Sequence, residues 1–446
     1  VCGKAGLLGL VLILLRAYSL GGGTYTGIEA VSNGLPILRD PRVETGKRTM
    51  LYMAVSLAFT ASGLLLAYLL VGVKSEAGRT LNASLVASLV RGWDVGGVPL
   101  GTGLFLLTLL SEGAILVVAA QTGFLDGPRV LANMALDSWV PRRFYQLSDR
   151  LVTQDGILLM GGAALALLLY TRGSVHLLVV LYSINVFLTF SLSQLGMCRH
   201  WWRLRGREKG WGKRLAINGV GLVLTTGILI TTAALKFTAG GWVTVVITSA
   251  VIGLCLYIRH HYLQTEKGLE QLDEILLKPL PPGAERVEPV CDPSAPTAVF
   301  FVKGYTGLGI HTVLSVPRLF GDHFKNFVFV GVGVIDSSRF KGREEIKNLR
   351  QETDKGLQKY VDFVKRQGVY AEYVSALGTD AVDELERLAR QVTNRFPHAV
   401  FFAGKLSFRQ ETFWQKVLHN QAAMNLQRRL HFAGLPMVVL PVRVTR

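Results

Sequence analysis

Residues Leu7 to Leu38 read LLGLVLILLRAYSL, then GGGT, then YTGIEAVSNGLPIL: two apolar stretches either side of a glycine cluster. Neither crosses a bilayer alone, since Tyr25 to Leu38 makes only about 20 Å of helix at ~1.5 Å per residue. Together they span. Gly21, Gly22 and Gly23 in a row weaken a helix, so the pattern predicts one that unwinds near mid-membrane, at residues 21–25, and restarts around Thr24 to Thr26. Glu29 follows the break. A carboxylate at that depth costs about 2.5 kcal/mol or more unless it faces a polar cavity or holds a partner. Thr26 and Glu29 are three apart and share a helix face. The free carbonyls of Gly21 to Gly23 and the C-terminal end of the first half-helix both favour a cation there. The alternative is a glycine-rich packing seam with Glu29 protonated or paired to an arginine.

Half of the 446 residues are hydrophobic and the mean hydropathy is +0.36, too apolar for an ordinary soluble chain of this size, which marks a membrane protein. The net charge of +17 sits mostly in loops and in the last third, as expected of cytoplasmic segments facing anionic lipid; no basic stripe with interleaved aromatics favours nucleic acid. Cys2, Cys198, Cys255 and Cys291 lack CxxC spacing, against a zinc site or a disulfide frame. The chain opens on VCGKAG directly before an apolar run and reads as truncated at the front.

After the connector ILRDPRVETGKRT, apolar runs follow at 49–73, 101–121, 156–170, 175–198, 215–235 and 241–258. Residues 122–155 are too polar to cross and predict a surface helix. Connectors 39–48, 122–155 and 199–214 are rich in Arg and Lys and are assigned to the cytoplasm, with everything after Ile258. Residues 1–258 thus form the transmembrane domain, the discontinuous first span and the six spans that follow it, and 259–297 the linker: a charged helix-like stretch and then a Pro-rich run, Pro279 to Pro296, across which few packed contacts are expected. From 298 to 446 strands alternate with helices, predicting a parallel sheet covered on both faces. Its turn KGYTGLGIHT follows a strand and opens a helix, so Gly304, Gly307 and Gly309 are either nucleotide contacts or parts of a plain strand-to-helix turn. His311, His323, His398 and His419 are dispersed, and no catalytic or metal-binding cluster stands out. An enzyme is not indicated, and no cofactor is expected.

Four segments in one order, TGIEAVSNGLP, QTGFLDGPRVLANMALDSWVPRRF with SDRLVTQDGI, FSLSQLGMCRHWW with KGWGKR, and FWQKVLHNQAAMNLQRRL, carry a resemblance over essentially the whole chain. It resembles the amino acid/polyamine/organocation superfamily of secondary transporters, and within it the potassium importers of the KimA kind. The resemblance implies an α-helical polytopic membrane protein, the second half of an inverted-repeat bundle with its first helix broken, followed by a cytosolic universal-stress-protein-like α/β domain. It places the first five spans outside this chain. It implies proton-coupled potassium uptake across the inner membrane, with Thr26 and Glu29 at the ion and Tyr182 lining the pathway, and a homodimer formed through the cytosolic domain, which could sense a cyclic dinucleotide. Tyr182 could equally be an interfacial or hydrogen-bonded tyrosine. Glu112 is a second intramembrane acid where those importers carry a neutral residue; it either couples protons or, the favoured reading, pairs with Arg16. Other readings are an amino-acid permease of the same superfamily and a membrane-anchored sensor that moves nothing; a carboxylate beside the break favours a cation over a zwitterion, and the break argues against a mere anchor.

Overall fold

The computed structural model describes residues 9–10, 13–14, 17, 28–35, 38–74, 76, 78–93, 99–277, 290–337, 343–407 and 422–443. The glycine cluster, Thr26 and Arg16 lie outside them. The chain divides into two compact units, residues 1–127 with 160–251 and residues 128–159 with 252–446.

The first unit is helical. A short helix α1 (Ile28–Asn33) is followed by α2 (Arg42–Val71), the nine-residue α3 (Leu81–Leu89), α4 (Leu100–Leu136), α5 (Gln154–Thr171), α6 (Val175–Arg203), α7 (Trp211–Lys236) and α8 (Trp242–Leu276), of which α4, α5 and α8 continue into the second unit. Six of these, α2 and α4 to α8, are long and apolar enough to cross a membrane. They carry apolar side chains such as Phe59, Leu70, Leu110 and Val223, each more than 70% exposed, a surface that lipid or further apolar helices would cover. Between α7 and α8 the five residues Phe237–Gly241 form a π-helical turn. A Cβ on Gly241 would stand 2.6 Å from the Lys236 carbonyl oxygen and 2.8 Å from Ile184, so only glycine lets α8 begin this close to α6.

Two helices run further than the sequence predicts. α4 does not stop near Gln121 before a separate surface helix; it continues through Pro128 to Leu136. α8 passes Ile258 and ends at Leu276. Asp126, Arg129 and Arg259 end an apolar run, but a helix satisfies its own backbone and can leave the bilayer without breaking.

The second unit contains a five-stranded parallel sheet in the order β3-β2-β1-β4-β5, built from β1 (Thr297–Phe301), β2 (Asn326–Val334), β3 (Tyr370–Gly378), β4 (Ala399–Ser407) and β5 (Met437–Arg443). The described helices are α9 (Gly307–Phe320), α10 (Arg343–Lys365), α11 (Ala381–Arg395) and α12 (Ala422–Phe432). Val and Phe dominate the central strands because both faces are buried. One face packs Phe300, Phe329 and Phe402 under Ile310, Val313, Leu357 and Tyr360; the other packs Val299, Val328 and Phe401 under Leu388, Val392, Leu426 and Leu430. The sheet, its parallel strands and both covered faces agree with the sequence pattern.

Candidate functional site

Of the residues assigned to the ion, Glu29 lies on α1, one residue after its start at Ile28. Thr26 and Gly21 to Gly23 fall outside the described residues. Tyr182 lies on α6 and is 45% exposed.

Glu112, on α4, accepts a hydrogen bond from the Asn82 side-chain amide at 2.8 Å. Asn82, the second residue of α3, in turn accepts from the Tyr68 hydroxyl, near the end of α2. Three elements therefore meet at one acid. The favoured partner, Arg16, lies outside the described residues, so that pairing is not in view. Asn82 itself escaped notice because it lies in a segment that reads simply as a polar connector. α3 forms there because Thr80 caps it, its hydroxyl accepting from the Ala83 N–H at 3.1 Å, and Ala83 and Leu85 are buried. The cap sets the second helical residue, Asn82, between Tyr68 and Glu112.

A further polar contact follows Tyr182. Lys236, only 8% exposed at the end of α7, donates to the Ser183 hydroxyl at 2.8 Å, and the Thr248 hydroxyl on α8 donates to the Asn185 side-chain oxygen at 3.0 Å. The helix C-terminus offers Lys236 its carbonyl dipoles, a favourable place for a cation. In the sequence this lysine opens the short connector KFTAG between two apolar runs, with nothing local to mark its partner. α6 thus holds its neighbours through Ser183 and Asn185; Tyr182 stands about 100° round the helix from Ser183 and, three residues before Asn185, on the same side as that residue.

With these helices placed, the chain can be set beside known proteins. The chain is 31% identical over 264 residues to the potassium transporter KimA of Bacillus subtilis (strain 168). It is similar to a potassium transporter. The match takes in 59% of this chain, and it spans 42% of that transporter's length. No family model matches. Together with the six membrane-length helices, the similarity makes this a multi-pass membrane protein whose relative is a transporter and not an enzyme. Among the described residues, no group of three or more His, Cys, Asp or Glu is placed to hold a metal.

In the second unit the glycine-rich turn is filled from two sides. Gly304 takes a left-handed φ of +63°, and Thr306 caps α9 by accepting from the Gly309 N–H at 3.3 Å. From the sheet side comes Tyr360, whose hydroxyl accepts from the Thr306 N–H at 3.1 Å and donates to the Thr306 carbonyl at 3.3 Å. A Cβ on Gly309 would collide with that hydroxyl, so the glycine is demanded by Tyr360. From the other side comes Asp273 in the last turn of α8, accepting from the Gly307 N–H at 2.6 Å. A Cβ on Gly307 would meet Asp273 and the Leu272 carbonyl at 2.8 Å each. Both glycines thus have packing reasons for being there, and a carboxylate occupies the positive end of the α9 dipole. Burial raises the Tyr360 and Tyr305 hydroxyl pKa values above the usual tyrosine range.

Proposed function

We propose that the protein containing this chain imports potassium by secondary transport coupled to protons, across the inner membrane. The observation that carries the reading is the 264-residue similarity to a potassium transporter. The intramembrane acid beside the glycine cluster agrees with it: in this reading Glu29, Thr26 and the carbonyls of Gly21, Gly22 and Gly23 hold the dehydrated ion, and Tyr182 lines its route. Glu112 carries the coupled proton, with Asn82 holding its carboxylate in place. The helices form the second of two inverted repeats. The α/β domain is of the universal-stress-protein kind, lies in the cytoplasm, joins two transporters as a homodimer, and is regulated by a cyclic dinucleotide. A phosphate approaching Gly304, Gly307 and Gly309 would compete with the Asp273 carboxylate for the Gly307 N–H.

The test is growth at low potassium of cells lacking their own uptake systems. The full-length protein should restore growth, and Glu29→Gln, which keeps the shape and removes the charge, should reach the membrane in equal amount and restore none. Growth with the glutamine variant removes Glu29 from the site; no growth with the parent, when it is present in the membrane, removes potassium import.

A further inference from the structure

The carboxyl ends of the strands in an open parallel sheet are where such domains place their ligands. Here the ends of β1, β2 and β3 meet other segments of this same chain. After β1, the turn before α9 receives the last turn of α8: Asp273 takes the Gly307 N–H, and Leu276 and Leu277 pack on the sheet core. Beyond β2, Asp336 pairs with Gln146 in an antiparallel bridge, and the Ser337 N–H donates to the Tyr145 carbonyl at 3.1 Å. Just past β3, Thr379 donates to Asp149 at 3.4 Å. Tyr145, Gln146 and Asp149 belong to the connector between α4 and α5.

That connector is fastened to α8 as well. The Arg142 N–H donates to the Tyr262 hydroxyl at 3.4 Å, the Arg142 guanidinium lies 5.0 Å from the centre of the Tyr262 ring, and Arg259 lies 4.0 Å from the centre of the Trp139 ring. Burial raises the Tyr145 hydroxyl pKa, with Arg142 acting against it and Asp336 with it. The few contacts expected across the linker are therefore replaced by a packed seam, and residues 128–159 and 252–446 form one compact unit.

We infer that the α/β domain grips the connector and the end of α8 at the carboxyl edge of its sheet, and so sets how freely the membrane helices α4 and α8 move during transport. A domain hung on a flexible linker could influence transport only by binding something else. This one holds the end of α8 directly and α4 through the connector that follows it, and each of these helices is a single uninterrupted element that also carries a membrane-length apolar stretch. The seat is shaped for its occupant, since Gly307 leaves room for Asp273 and the Leu272 carbonyl and for no side chain of its own.

The transport half of this inference rests on the proposed potassium import; the contact half does not. Opposed residues of an antiparallel pair have Cα atoms about 4.5–5.5 Å apart, within the range a disulfide spans. In membranes carrying the full-length protein, Gln146→Cys with Asp336→Cys should form an intramolecular cross-link on mild oxidation, read as a reversible mobility shift absent from either single variant. Potassium uptake by the oxidised protein should fall at least fivefold below that of the same protein reduced. No cross-link, or a cross-linked dimer, would overturn the contact within one chain. A cross-link with unchanged uptake would overturn the grip on α4 and α8. Cross-linking in a protein that moves no potassium when reduced would overturn the potassium reading, with the contact upheld; hydrogen exchange in residues 128–136 and 252–277 then decides the grip, which predicts slower exchange when cross-linked and fails if exchange is unchanged.

Discussion

At the scale of single residues the polar groups within the helices carry most of the consequence, because a polar atom in an apolar surrounding must find a partner. Asn82 serves two at once. Replacing it by alanine leaves Glu112 and Tyr68 without that partner, and each group so stranded costs about 1–3 kcal/mol when buried, less where water or lipid headgroups reach it. Asn82→Ala should lower the unfolding temperature of the purified protein. Ser88→Ala, which removes a hydroxyl whose bond among the described residues is to the Leu85 carbonyl of its own helix, should not; equal shifts would contradict the bridging role. Tyr360 sets a pH dependence. Its pKa is raised in the fold, chiefly by burial, so the folded state keeps the proton that the unfolded chain releases from about pH 10. The stability it contributes is complete below pH 10 and is lost as pH rises through the folded value. Alkaline unfolding followed by circular dichroism should be less steep above pH 10 in Tyr360→Phe, and an identical slope would speak against it.

At the scale of elements, what the sequence reveals depends on how local the cause is. The strand Asn326–Val334 can be read directly, because an unbroken run of Val and Phe with small residues needs both faces buried and nothing distant to explain it. α4 was misjudged at Gln121 because charge ends a membrane span but not a helix, and because Pro128 removes one hydrogen bond without unwinding its neighbours. The glycines of the turn before α9 look like a phosphate cradle by sequence alone. Their packing partners, Asp273 and Tyr360, lie 34 and 51 or more residues away, and no local pattern announces such a contact. Asn82 and Lys236 were missed for the same reason: each gains its meaning from another helix. The site around Glu29 remains legible chiefly as sequence, from an acid beside three glycines. The proposed orientation puts the basic connectors on the cytoplasmic side. Gly206→Cys, in the turn between α6 and α7, should react with an impermeant thiol reagent in inverted vesicles and not in intact cells; labelling from outside intact cells would reverse the topology.

For the whole molecule the proposed transport is supported by the six membrane-length helices and the similarity to a potassium transporter. The chain spans only 42% of that relative's length, so the complete protein is the object on which function must be measured. The most direct measurement uses the purified full-length protein in liposomes that enclose a pH-sensitive dye, with a permeant anion present to balance charge. If potassium and protons enter together, potassium added outside should acidify the lumen, while sodium or a neutral amino acid should not. No pH change on adding potassium, or acidification driven by an amino acid instead, would contradict the account.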